Sequence, residues 1–575
     1  MSASAPARET RATRAAAALL LLLLSFGLAR AHALAWTCDD AFISFRYAQN
    51  LVQGHGLVYN AGERVEGYTN LLWTLALAAG MAVGVDPIEL GAWLGIACYA
   101  GLALTLAGAS WRRHRRRGLP FLPLAAAVVL VSPDFHDWAT GGLETALFGW
   151  LATASALAAR AAARSSRAAL GAGALLSLLL LTRPDGLLFA VTMSATLVLW
   201  PPHEASARDA RRGAAALLAL PALCTAVLVA WKLAYYGELL PTAFHSKSVL
   251  RPWYTQGLVY LGLYLAKSWF FAPALAGAVA ARALRRGPPC DVDRDGAAFA
   301  ASALCFWLYV AHVGGDFMFA RRLLPAAPLL LLAIEGELVQ LPLRAARVAT
   351  LACVVAAALP YPVLGDRALW RGVADERRFY PPLALAARAL QGRALHDALA
   401  GTGARVAYEG GMCAFGYFSD LPWLAEMTGL TQYSLAKLPL ASRGRPGHEK
   451  KPTEDWLREQ GVHFVVSQRF PPIARGPSEP YDLIHFGDVA VARIVRYDDA
   501  IMQRLREREG VHFTPIEDTI ERSRREIERA DRAGAERVYE RLARYYLDGA
   551  GPRGAAIAAS LRAQIDGKPD ASSGP

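Results

Sequence analysis

A block of basic residues constrains this chain more than any other feature. Trp111 is followed by Arg112, Arg113, His114, Arg115, Arg116 and Arg117. The block closes an apolar run from Ile88 to Ala109, long enough for a bilayer that needs about 20 apolar residues per helix. Basic clusters beside a span stay on the cytoplasmic side. The preceding apolar run, Leu71 to Val83, has only 13 residues. If both runs crossed, the block would lie outside, so the shorter run is expected to be interfacial or re-entrant.

The same rule orders the rest. Arg8, Arg11 and Arg14 precede an apolar run from Ala15 to about Ala35. It reads as a retained first span, with a cleaved signal peptide as the alternative. Further spans are expected near 119–133, 142–160, 168–182, 186–200, 213–235, 256–282, 297–313, 323–341 and 346–362. That gives about 11 spans, and the arginine groups between them fall on the cytoplasmic face. The fold class expected is mainly α: a polytopic membrane bundle in residues 1–362, with a long first outer loop over 36–86.

Composition agrees. Of 575 residues 54% are hydrophobic, and mean hydropathy is +0.24, too apolar for an ordinary soluble enzyme. The net charge of +12 is accounted for by cytoplasmic loops, so no nucleic-acid partner is implied. The seven cysteines show no metal-type spacing. Cys38 and Cys413 both fall outside in this topology, where a disulfide can form. After residue 363 the chain gains charge and proline. ARVAYEGG, VHFVVS and VAVARIVR read as short strands, and residues 363–550 are expected to form an extracytoplasmic α/β domain. Residues 551–575 are expected to be a flexible tail.

The outer loops gather the chemistry. Asp39 and Asp40 stand side by side before a helical run that reads as an amphipathic helix lying on the membrane surface. Glu66 follows in the same loop, and Glu144 lies in SPDFHDWATGGLET. Arg183 sits in LTRPDGLLF, His245 and Lys247 in YYGELLPTAFHSK, and Asp316, Arg321 and Arg322 in HVGGDFMFARR. Charges at a membrane edge are costly and default to function, although any one could be a structural ion pair. Carboxylates supply a general base or a metal ligand. Arginine, lysine and histidine supply a phosphate clamp. Together they suit a lipid-linked phosphate substrate. A proton-coupled transporter or lipid-linked sugar flippase would also use such residues, and a membrane-bound glycan sensor is a third reading.

The stretch CDDAFISFRYAQNLVQGHGLVYNAGERVEGYTNLLW resembles the first outer loop of GT-C class bacterial membrane glycosyltransferases. It is most similar to the mycobacterial terminal β-(1→2) arabinofuranosyltransferase family. ATGGLETALF, LTRPDGLLF, YYGELLP, GGDFMFARRLLP, ADERRFYP and GRPGHEKKP are similar to recurring segments of that group. The resemblance implies transfer of a sugar, arabinofuranose in that family, from a polyprenyl-phosphate donor. The acceptor would be a hydroxyl of a cell-envelope glycan or protein, at the outer face of the bacterial cytoplasmic membrane. It implies a catalytic first-loop aspartate, Asp40 or Asp39. Arg321, Arg322, Arg183, Lys247 and His245 are then candidates for the donor phosphate, with Glu66, Glu144 and Asp316 as further polar members of the site. Asp39 is also the candidate ligand for a divalent cation, Mg or Mn, whose need the sequence leaves open. Membrane lipids are the remaining partner.

Overall fold

The computed structural model describes residues 5–116, 121–247, 249, 251–284, 291–359, 369–467 and 482–568. The side chains of Arg8 and Arg11 lie outside this description, as do residues Arg117, Arg285 and Arg286. The chain forms two compact units. The first comprises Met1–Leu57, Tyr68–Pro381 and Ser442–Gly447, and the second Val58–Gly67, Pro382–Ala441 and His448–Pro575.

The first unit is a helical membrane bundle. Among the described residues, Thr13–Ala33, Pro87–Arg116 and Ala207–Tyr236 are long and apolar enough to cross a membrane. Thr145–Ala159, Ser166–Thr182 and Gly186–Leu199 are apolar but shorter, as is Leu71–Met81. Eleven residues rise only about 16 Å in an α-helix, so Leu71–Met81 cannot span alone. The expected span at 256–282 is two helices, Tyr254–Lys267 and Phe271–Leu284, bent by 82°. Pro273 explains the break, because it lacks an N–H and its ring clashes with the carbonyl four residues back. The expected span at 119–133 is likewise interrupted. Leu124–Val131 ends at Ser132, whose backbone is extended at ψ 124, as suits a residue before proline. Pro133–Thr140 then forms a separate short helix. A hairpin of β1, Leu369–Trp370, and β2, Val373–Ala374, completes the unit.

The helix Ala41–Val52 corrects a sequence expectation. Residues 41–48 are all buried, Arg46 among them. Its polar side therefore also has protein neighbours, which an amphipathic helix with one solvated face would lack.

The second unit holds a mixed six-stranded sheet in the order β4-β3-β5-β7-β6-β8. Its strands are β3 Val406–Tyr408, β4 Leu424–Glu426, β5 Phe464–Val466, β6 Leu483–Phe486, β7 Ala490–Ile494 and β8 Val511–Phe513. Strands β4, β3 and β5 are parallel and the others antiparallel. The parallel strands are buried throughout, as strands covered on both faces must be. Trp423, Trp456, Leu435, Leu457 and Val465 form a core beside them. The loop piece Val58–Gly67 belongs here. Asn60 donates to the Leu424 carbonyl and accepts from its N–H, both at 2.9 Å. Trp423 Nε1 donates to Glu63 at 2.5 Å. The expected tail begins as a helix, Gly551–Asp566, because Leu561 and Ile565 lie four residues apart on one face and are buried. Residues 569–575 lie outside the described residues. Among the described residues no cysteine is in a disulfide, Cys38 and Cys413 included.

Candidate active site

Asp40 occupies the N-cap position of Ala41–Val52, yet its side chain makes no capping hydrogen bond. The carboxylate is therefore left for other work at the positive end of the helix dipole. The loop before it is tied down by backbone. Cys38 N–H donates to the Gly141 carbonyl at 3.0 Å, and Trp36 Nε1 to the Asp137 carbonyl at 2.7 Å. Gly142 has φ +74, and a Cβ there would stand 2.9 Å from Ala41 Cβ. The turn after Gly141 is thus molded against the start of the aspartate helix.

That turn also carries Glu144, which is 1% exposed. Its Oε1 accepts from Arg183 Nη1 at 2.5 Å and from Arg321 Nη2 at 3.2 Å. Its Oε2 accepts from Asn70 Nδ2 at 2.9 Å. Asn70 Oδ1 in turn accepts from Ser44 in the aspartate helix at 3.1 Å. Arg183 also bonds Asp185 at 3.2 Å, and Arg322 pairs with the same carboxylate at 2.9 Å. Glu144 thus anchors two of the arginines and Asp185 a third. Burial pulls the Glu144 carboxyl upward, but Arg321 and Arg183 win and hold it at about 2.

Arg321, Arg322 and Asp316 sit in a loop held by hydrogen bonds from every side. Tyr260 hydroxyl donates to the Met318 carbonyl at 2.8 Å, Trp138 Nε1 to the Phe319 carbonyl at 2.9 Å, and Trp307 Nε1 to the Leu323 carbonyl at 3.0 Å. Phe319 N–H and Ala374 pair this loop with β2. That pairing brings in Glu376, two residues after β2. Arg377 beside it bonds Asp137 at 3.1 Å.

The electrostatics fall out of this packing. Burial raises the Asp40 carboxyl to about 6, against Arg321 and Lys247, with Asp39 and Asp316 adding to the rise. Asp316 is held below the usual carboxylate range despite burial, by Lys247, Arg321 and Arg322. Burial pushes Lys247 down, while Asp316 and Asp40 oppose it. Asp39 is buried. His245 is half-buried with its ring 5.8 Å from that of Phe244. Glu66 is buried and belongs to the second unit's segment Val58–Gly67.

Asp40, Asp39, Lys247, Asp316, Arg321, Arg322, Arg183 and Glu144 therefore lie in the first unit and are linked by contact or charge. Sequence reasoning missed Asn70, the pairing of Asp185 with Arg322, Glu376 and Arg445. The last two sit in ADERRFYP and GRPGHEKKP, segments already marked by resemblance. Arg445 Nη2 bonds Glu376 Oε1 at 2.7 Å.

The fold of this chain is of the GT-C type. It matches the crystal structure of ArnT from Cupriavidus metallidurans bound to undecaprenyl phosphate, with TM-score 0.50 and 12% identity, over 83% of this chain and 97% of that one. Among curated proteins the chain is similar to the terminal β-(1→2)-arabinofuranosyltransferase of Mycobacterium tuberculosis, 32% identical over 336 residues, 51% of each chain. The protein of the same name from Corynebacterium glutamicum is 27% identical over 50% of this chain and 46% of its own length. The chain spans about half the length of these curated relatives. No protein-family model matches it.

Proposed function

We propose that this protein is a membrane glycosyltransferase. It moves a sugar from a polyprenyl-phosphate donor to a hydroxyl of a cell-envelope glycan or protein, at the outer face of the bacterial cytoplasmic membrane. The relatives' printed names favour arabinofuranose as the sugar, and the ArnT complex favours a lipid-phosphate carrier. The observation that carries the reading is Asp40: half-buried, not used as a helix cap, raised to about 6, with Arg321 and Lys247 as its cationic neighbours.

A sugar hydroxyl ionises far above neutral pH, so attack on the donor carbon needs a carboxylate to take its proton as the new bond forms. Asp40 takes that role. Lys247, Arg321 and Arg322 stabilise the phosphate that leaves. Asp185 and Glu144 hold the guanidinium groups in place before substrate arrives, so their orientation costs nothing during the reaction. Asp39 and Asp40 are hard oxygen donors of the kind Mg or Mn takes. An ion bound there would add charge stabilisation for the leaving phosphate. The second unit, with its sheet, is assigned to the acceptor on the extracytoplasmic side.

The test is incubation of the purified full chain with radiolabelled decaprenyl-phosphate arabinofuranose and with other polyprenyl-phosphate sugars. Transfer of label to glycan or to water-soluble acceptor supports the reading. Binding without consumption of any donor points to a transporter or flippase.

A further inference from the structure

Arg445 reaches the first unit from far along the chain. The six residues Ser442–Gly447 cluster with that unit, although the segments on both sides belong to the other. The Arg445 guanidinium lies over the Phe317 ring, 4.7 Å from its centroid. Lys247 Nζ lies over the same ring at 5.9 Å. A Cβ at Gly447 would stand 3.3 Å from Lys247 Cε, so the inserted segment and Lys247 pass side by side.

Phe317 follows Asp316 directly. Asp316 Oδ1 accepts from the Phe317 N–H at 2.8 Å, and its buried Oδ2 has no partner. The buried Nε atoms of Arg445, Arg321 and Arg322 also have none. Buried polar atoms without partners are uncommon in folded proteins, and several in one unit call for an explanation. Two cations over one phenyl ring repel each other, and a ring face offsets only about 0.5–2 kcal/mol per cation. Glu376 is the carboxyl bonded to Arg445. Burial pushes it up to about 8, with Arg445 opposing and Asp40, Asp316 and Asp39 adding to the rise. A proton on Glu376 leaves the charge of Arg445 available to another anion.

We propose that Arg445 and Lys247, set over Phe317, clamp the phosphate of the lipid-linked donor, with Glu376 positioning Arg445. This rests on the glycosyltransferase reading only in taking the anion to be a lipid phosphate. It adds a binding residue from a part of the chain outside the expected catalytic module. A guanidinium donates along two edges. With one edge on Glu376, the Nε side remains for a phosphate oxygen.

The experiment uses the full chain in nanodiscs with two probes, undecaprenyl monophosphate and uncharged undecaprenol. Arg445→Gln should lower affinity for the monophosphate by about 10- to 100-fold, the loss for a hydrogen bond to a charged group. Affinity for undecaprenol should not change. Arg445→Lys should recover part of the loss, which a merely structural arginine would not require. Folded Arg445→Gln with wild-type monophosphate affinity overturns the clamp. If Arg445→Gln does not fold, Phe317→Leu reads the same clamp: weakened monophosphate binding supports it and unchanged binding overturns it. Donor kinetics separate the two claims. Turnover by the wild type with an unchanged donor KM in Arg445→Gln sinks the clamp and leaves the function standing. Arg445-dependent monophosphate binding without any sugar transfer does the reverse.

Discussion

Asn70 donates to Glu144 across 2.9 Å. One bond thereby joins the aspartate helix, through Ser44, to the carboxylate that holds Arg183 and Arg321. The helix that begins after Asp40 and the turn that carries Glu144 are thus parts of one hydrogen-bonded network.

Glu144→Gln should therefore cost stability first. It removes the charge opposite two buried guanidinium groups, and breaking a buried pair costs about 3–5 kcal/mol. The sign with pH follows. A carboxyl held at about 2 contributes stability that is present above its ordinary value of 4.5 and lost as pH falls toward 2. Thermal unfolding in detergent at pH 7 and pH 4 checks both. An unchanged melting temperature in Glu144→Gln at pH 7 would show that the pairs carry no net stability.

Gly142→Ala tests the placement of Asp40. The residue has φ +74, and the new Cβ would meet Ala41 Cβ at 2.9 Å. Backbone strain of about 1–3 kcal/mol is expected, together with a shift of the helix start. Turnover should fall more than donor binding does. Equal losses in both would mean that the substitution loosens the whole unit.

Arg115 tests the topology. It is exposed at the end of Pro87–Arg116, and its neighbour Arg113 is fixed by Glu335 at 3.4 Å and the Leu332 carbonyl at 3.0 Å. A cysteine at position 115 should resist a membrane-impermeant thiol reagent added outside intact cells, and react once the cells are opened. Labelling from outside would invert the topology.

Much of the fold is legible in the sequence. Apolar runs with polar ends mark Ser166–Thr182 and Gly186–Leu199 to within a few residues, because each is closed by local chemistry, a serine cap before one and Arg183-Pro184-Asp185 between the two. The strands β3, β5 and β7 announce themselves by β-branched and aromatic runs. Other features depend on partners distant in sequence. The bend between Lys267 and Phe271 follows from Pro273, but Lys267 stays there because Asp134 holds it at 2.6 Å. Glu376 enters through pairing of β2 with the Asp316 loop, and Arg445 through the insertion of Ser442–Gly447. Nothing in the pattern of residues 442–447 alone says which unit they join. By sequence Arg183 and Arg321 read as candidates for the donor phosphate, with an ion pair to Asp185 as the alternative for Arg183; both bond Glu144, so their role includes holding the turn that carries it.

The pH profile follows from Asp40. A base works in its deprotonated form, and this carboxyl is raised to about 6. Turnover at saturating donor should fall about tenfold per pH unit below that value and level off above it. Steady-state rates between pH 4.5 and 7.5 read this directly. A profile flat down to pH 4.5 would mean that a different group takes the proton.

Asp40→Asn is the most direct measurement of the central claim. The amide keeps the shape of the side chain and removes its basicity. In well-folded protein supplied with a radiolabelled polyprenyl-phosphate sugar, nearly all transfer should be lost while donor binding is retained. Asp39→Asn should lose less. Near-normal transfer by Asp40→Asn would contradict the assignment of the base: with Asp39→Asn inactive it moves the base to Asp39, and with both variants active it removes the first loop from the chemistry.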